Sequence, residues 1–251
     1  MSQFSRWTLY PLPDFFTLVI FIVSYKTKCF RLSIQSVKAY VTTQANTDGW
    51  TTSSDTWVYA SASTFTIAGV DRTAVYTKGT RLKFTQNTVK YAIVVSSSFS
   101  TNTTVTIAVN TDYVIANAAI TSPYYSYQAN PQGYPGWFAF TPTWGGFSSA
   151  PAGVSTRFNI IGPRVKYELF AGQGTSNATT FTVTVPVAVA SYYNGQFVSE
   201  PIIAVDAGTN VLAYATFGST TRFDFYKTLA LGGWTNSGNK GVWMQQEFEM
   251  G

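Results

Sequence analysis

The chain has no histidine and a single cysteine among its 251 residues. The first absence removes Ser-His-Asp and Cys-His hydrolysis, histidine-ligated zinc and imidazole proton shuttles together. The second leaves Cys29 without an intrachain disulfide partner and excludes a cysteine-rich metal cluster. A lone thiol of this kind reads as small apolar filler. Charge is scarce as well, at 11% of residues against roughly 25% in an ordinary soluble domain. No apolar run reaches the roughly 20 residues of a spanning helix, so no membrane span is expected. What the chain has instead is 45% hydrophobic and 17% aromatic residues, which sets it apart from disordered sequences.

The few charges are unevenly placed. Arg6, Lys26, Lys28, Arg31 and Lys38 face Asp14 alone over residues 1–40, which accounts for +4 of the formal +5. The rest is nearly neutral, whereas a nucleic-acid binder concentrates cations on its folded body; no nucleic-acid partner is expected. Within the basic stretch, residues 15–25 (FFTLVIFIVSY) are uncharged and largely apolar. Phe15, Phe16, Val19, Ile20 and Ile22 are strand formers and suit an ordered arm that attaches the chain to a neighbour. The same run would serve as a signal-peptide core behind Arg6, or belong to a leader added by an upstream start codon.

From Trp50 onward the pattern is period 2. Leu82 and Phe84 alternate with Arg81 and Lys83; Val89, Tyr91, Ile93 and Val95 share one face; Val105, Ile107 and Val109 alternate with Thr104 and Thr106. A second block repeats it with Val165, Tyr167 and Leu169, then Phe181, Val183 and Val185, then Phe223 and Phe225, then Val242, Met244 and Phe248. Such alternation marks half-buried antiparallel strands, and Ser96 to Asn102 reads as the polar turn of a hairpin. Only Asp112 to Ile120 suggests a helical turn, with Asp112 as its cap. Between the blocks, residues 123–147 hold nine aromatics, four prolines and four glycines, a composition unsuited to helix and poor for a ladder strand. Their rings need a surface to cover, so the segment reads as a packed connector. The expected fold is all-β: an N-terminal arm over 1–49, a small antiparallel β domain over 50–122, the connector over 123–147, and a jelly-roll-like β-sandwich over 148–251.

At the connector the sequence resembles a known family. Phe140-Thr-Pro-Thr-Trp144-Gly-Gly146 is similar to the signature that opens the terminal β domain of many tailed-phage structural proteins, followed by Phe158, Gly162 and Val165 entering the first long strand. Thr179-Thr-Phe-Thr-Val-Thr-Val-Pro186 resembles that family's proline-ended strand. Upstream, Gly79-Thr-Arg-Leu-Lys-Phe-Thr-Gln86, Val89-Lys-Tyr91, Ile120-Thr-Ser-Pro-Tyr-Tyr125 and Tyr134-Pro-Gly-Trp137 continue the likeness over about residues 50–250. The resemblance implies a virion component, a tail fibre, tail tip or minor tail protein at the particle surface, and a homotrimer in contact with other virion proteins. Host-surface adhesion is the function expected from it, with head or tail decoration as the alternative. It supplies no catalytic or ligand residue.

Chemistry must then come from the residues themselves. Asp48 with Asp55, and Glu247 with Glu249, are the carboxylate pairs nearest in sequence, but solvated strand faces explain them without catalysis. No enzyme activity, cofactor or metal is expected. Tyr192, Tyr193 and Asn194, with Trp234 and Asn236, pair aromatic faces with amides, the chemistry of a glycan site; turn formation and edge packing are the competing reading.

Overall fold

The computed structural model describes residues 48–198 and 201–251, all within one compact unit. Phe15, Phe16, Val19, Ile20, Ile22 and Cys29, and with them the expected arm, lie outside the described residues. The fold is all-β, with two antiparallel sheets.

The first sheet contains β1 (Thr51–Thr52), β2 (Val58–Ser61), β3 (Thr64–Ala68), β4 (Arg81–Gln86), β5 (Thr88–Phe99), β6 (Asn102–Ala108) and β7 (Thr121–Ser126), in the order β1-β7-β4-β5-β6-β3-β2. Phe65, Leu82, Phe84, Val94 and Val105 point into one core, where Trp57 stacks on Phe65 at 4.3 Å. Strand β5 buries both its faces: Ala92 and Val94 enter that core, while Ile93 joins the larger one. Ser96 to Phe99 therefore continue the strand, and the hairpin turn shrinks to Ser100 and Thr101.

The second sheet contains β8 (Phe138–Ala139), β9 (Trp144–Gly145), β10 (Phe147–Ser149), β11 (Ser155–Ile161), β12 (Arg164–Ser176), β13 (Phe181–Thr184), β14 (Ile202–Asp206), β15 (Thr209–Ser219), β16 (Arg222–Tyr226) and β17 (Asn239–Glu249). Its path is β8-β11-β12-β17-β14-β15-β16-β13-β9, with β10 on β12. The last strand lies between β12 and β14, a non-sequential order of Greek-key type. Strand β15 pairs with β14 through Ala213 and with β16 from Tyr214 onward, so the sheet curls over into a jelly-roll-like sandwich. Across the fold, Tyr167 stacks on Phe223 at 5.9 Å and Phe217 meets Phe248 at 5.6 Å. Each fully buried Phe contributes about 1.5–3 kcal/mol of transfer free energy. The β14–β15 hairpin closes on Ala207 and Gly208 at φ 50° and 83°, the left-handed pair of a tight type I′ turn.

Two local expectations need correction. Residues 112–120 do not form a helical segment beginning at Asp112. A single 3₁₀ turn, Thr111–Tyr113, is capped by Asn110, whose side chain accepts from the Tyr113 N–H. Beyond it the backbone is held by Gln86, which donates to the Ala116 and Ala118 carbonyls and accepts from the Ala116 N–H. So short a segment cannot repay helix nucleation, and one buried amide supplies its bonds instead.

The start of the aromatic segment does form a ladder strand, β7, despite Pro123. The proline falls where the β4–β7 register shifts, so no N–H is missed there, and its carbonyl accepts from Ser53 N–H. Of the remaining rings, Tyr134 and Phe138 belong to a run of contacts between the sheets. Trp50 meets Tyr134 at 6.1 Å, Tyr134 meets Phe138 at 5.6 Å, and Phe138 stacks on Phe158 at 5.5 Å. The segment thus joins the first sheet to the sandwich core through ring contacts.

Candidate binding surface

The residues expected to form a glycan site do not come together. Trp234 is 3% exposed: its Nε1–H donates to the Phe225 carbonyl at 2.7 Å, and its ring lies 4.8 Å from Phe181. It fills the sandwich where a strand-end carbonyl satisfies its polar atom, so no indole face is open to a sugar. Asn236 is exposed beside it. Tyr192 is exposed and donates to Glu249 at 3.0 Å, while Tyr193 leans on Phe217 at 5.2 Å and Asn194 is exposed. Thr235 bonds Lys240 at one end of β17 and Tyr192 bonds Glu249 nine residues along. At ~3.3 Å per residue, those contacts are about 30 Å apart, too far for one sugar site.

The carboxylate pairs are likewise committed elsewhere. Glu247 pairs with Arg164 at 2.9 Å and Glu249 accepts from Tyr192. Asp48 caps the Trp50 N–H at 3.0 Å, and Asp55 holds Arg72 at 2.8 Å together with the Tyr76 hydroxyl. Among the described residues no cluster of three His, Cys, Asp or Glu could hold a metal, and no helix is long and apolar enough to cross a membrane.

What the fold does assemble is the outer face of the curled sheet. The β11–β12–β17 register sets Arg157 beside Glu168 and Gln245, Asn159 beside Lys166 and Glu247, and Ile161 beside Arg164 and Glu249. Arg157 ion-pairs with Glu168 and lies over the Trp137 ring at 4.6 Å, and Trp137 and Glu168 line a groove of about 150 Å³. One row further along, the same face turns apolar. Phe170, Trp243, Ile203 and Leu212 stand directly opposite one another across β12, β17, β14 and β15. Trp243 is half-buried and Phe170 exposed; Ile203 and Leu212 remain 54% and 66% exposed. Sequence reasoning missed this row, although a signal was present. Phe170 and Trp243 are out of phase with their buried neighbours and fall on the charged face.

A second region also escaped the sequence. Arg81, on the strand face it shares with Lys83, is 4% exposed and donates to the Gly79 and Ile160 carbonyls, linking the two sheets. Lys83 lies over the rings of Trp50 and Tyr124 at 4.6 and 4.5 Å. Both side chains obey the alternation; what the alternation cannot indicate is that another layer covers their face.

Comparison with family models, curated proteins and solved structures yields no match in any of the three.

Proposed function

We propose that the chain is a structural protein of a tailed-phage virion, a fibre, tail-tip or minor tail component that contributes to host-surface adhesion without catalysing a reaction. The observation that carries this reading is the open Phe170–Trp243–Ile203–Leu212 row. Four large apolar side chains in register on an open sheet face suit burial against another protein surface. The adjoining rows carry Arg157, Arg164 and Lys166 with Glu168, Glu247 and Glu249, so the charges on this face cancel and do not repel a copy of the chain. The partner fitting this face is a second subunit of the same oligomer, the homotrimer of the resemblance, or a neighbouring virion protein. A role as a head or tail decoration protein that touches only virion proteins is the second reading. It is favoured by the burial of Trp234, which removes the strongest aromatic feature expected for adhesion to host glycan.

Immunogold labelling of particles with antibody against residues 150–251 tests both. Label at the tail tip or fibres is expected. Label over the head would replace adhesion by decoration, and particles without label would overturn the virion reading.

A further inference from the structure

We infer that the cavity between the Thr77–Arg81 turn and the β11–β12 turn is an oxyanion site, taking a phosphate, sulfate or carboxylate group. The cavity is about 260 Å³, walled by Tyr127 and by Ile161 and Gly162, with Lys78, Thr80 and Arg81 along the other side. Among the described residues no Asp or Glu lines it.

The case begins with the donors of Arg81. A guanidinium carries five N–H groups and no acceptor. Here Nη1 donates to the Gly79 carbonyl at 3.0 Å, Nη2 donates to the Ile160 carbonyl at 3.2 Å, and Nε has no partner among the described residues. Among the described residues Arg81 enters no ion pair, and the Tyr134 ring lies 5.6 Å away. Burial accordingly lowers its hold on the proton from the usual guanidinium value. A buried cation is ordinarily paired, because its lost hydration must be replaced. Among the described residues this one has two neutral carbonyls and a tyrosine ring, and no anion.

Lys78 adds a second cation. Its ammonium donates to the main-chain oxygen of Gly251 at 2.7 Å and at 3.4 Å to that of Met250, which leaves one of its three donors for the cavity. The Thr77 and Thr80 hydroxyls share a hydrogen bond at 3.1 Å and can turn a proton outward. The turn also has the right shape. Gly79 sits at φ 88°, and a Cβ there would stand 3.0 Å from the Gly162 carbonyl, so a side chain would crowd the place where the two turns meet. Two cations, two hydroxyls and no Asp or Glu among the described residues lining a small cavity match a compact oxyanion better than an apolar or cationic ligand. The site does not depend on the chain being a virion protein.

The test uses the full chain with inorganic phosphate, and separately acetate, against sodium chloride at equal ionic strength. At ten times its Kd, phosphate is expected to raise Tm by about 3–5 °C over the chloride control. Acetate stabilising more than phosphate would identify a carboxylate as the preferred group, within the same site. Lys78→Gln changes an exposed side chain and is expected to weaken phosphate binding about fivefold. Arg81→Lys, if it folds, should weaken it further, because a single ammonium cannot reproduce the planar fork. No response beyond chloride in the wild-type chain would mean that water alone meets Arg81, and would overturn the site. An unchanged response in Lys78→Gln would also overturn it, whatever the behaviour of the Arg81 variant.

Discussion

Asp206 ends β14 with its carboxylate between two cations, Lys240 Nζ at 2.8 Å and Lys227 Nζ at 2.6 Å, and accepts from the Thr235 hydroxyl. Burial opposes its charge, but these donors outweigh it and hold the carboxyl well below the usual carboxylate range. Lys240 is 0% exposed, so losing the Asp206 charge would strand a buried ammonium. The direction of the pH effect follows from the depressed folded value. The stabilisation is complete above the unfolded aspartate pKa of about 3.9 and is lost as pH falls below it toward the folded value. Stability is therefore expected to decline on acidification below about pH 4. Asp206→Asn should remove about 3 kcal/mol at pH 7 and flatten that decline, read as the urea midpoint across pH. A wild-type midpoint for Asp206→Asn at pH 7 would contradict the assignment. None of this was legible in the sequence. Asp206 and Lys240 become neighbours through the β14–β17 register, and a local pattern carries no information about which distant strands pair.

Elements were more legible than residues. Val165, Tyr167 and Leu169, like Phe181 with Val183 and Phe223 with Phe225, lie on buried faces because one-sided burial imposes period 2 on the sequence. The reading failed where another element supplied what the local sequence lacked. Gln86 gives residues 116–118 their backbone partners, so an apolar stretch with a cap-like Asp112 need not coil. The loop around Trp234 is the clearer case. Sequence reasoning puts Trp234 in an exposed glycan site, yet its loop returns to the sandwich, where Trp234 N–H donates to the Thr179 carbonyl at 2.7 Å. The indole closes the space beside Phe181 and Phe225. Trp234→Ala is therefore expected to cost about 3–5 kcal/mol of folding stability. Asn236→Ala, two residues away and exposed, should stay within about 0.5 kcal/mol of wild type. Chemical denaturation of both chains decides the matter. A stable Trp234→Ala protein that merely failed to bind sugar would restore the surface reading.

At the scale of the whole molecule, the two sheets, the ring contacts between them and the curled sandwich leave one broad face that the described residues do not cover. It is polar and charge-balanced over three rows and apolar over the fourth. An exposed sheet face with large apolar side chains is an aggregation hazard unless it has a partner, and a chain carrying only 11% charged residues has little else to keep it soluble. The all-β class was open to reading from periodicity. Phe170 and Trp243 could have been read as misfits on a charged face, but their alignment with Ile203 and Leu212 needed four strands in register. We propose that this row docks the chain into a virion. The most direct test measures how much of an Ile203→Glu/Leu212→Glu chain is present in purified particles. Both positions are exposed, so the variant should fold and melt as wild type does, yet be absent from particles or strongly depleted. Incorporation at the wild-type level would contradict the account.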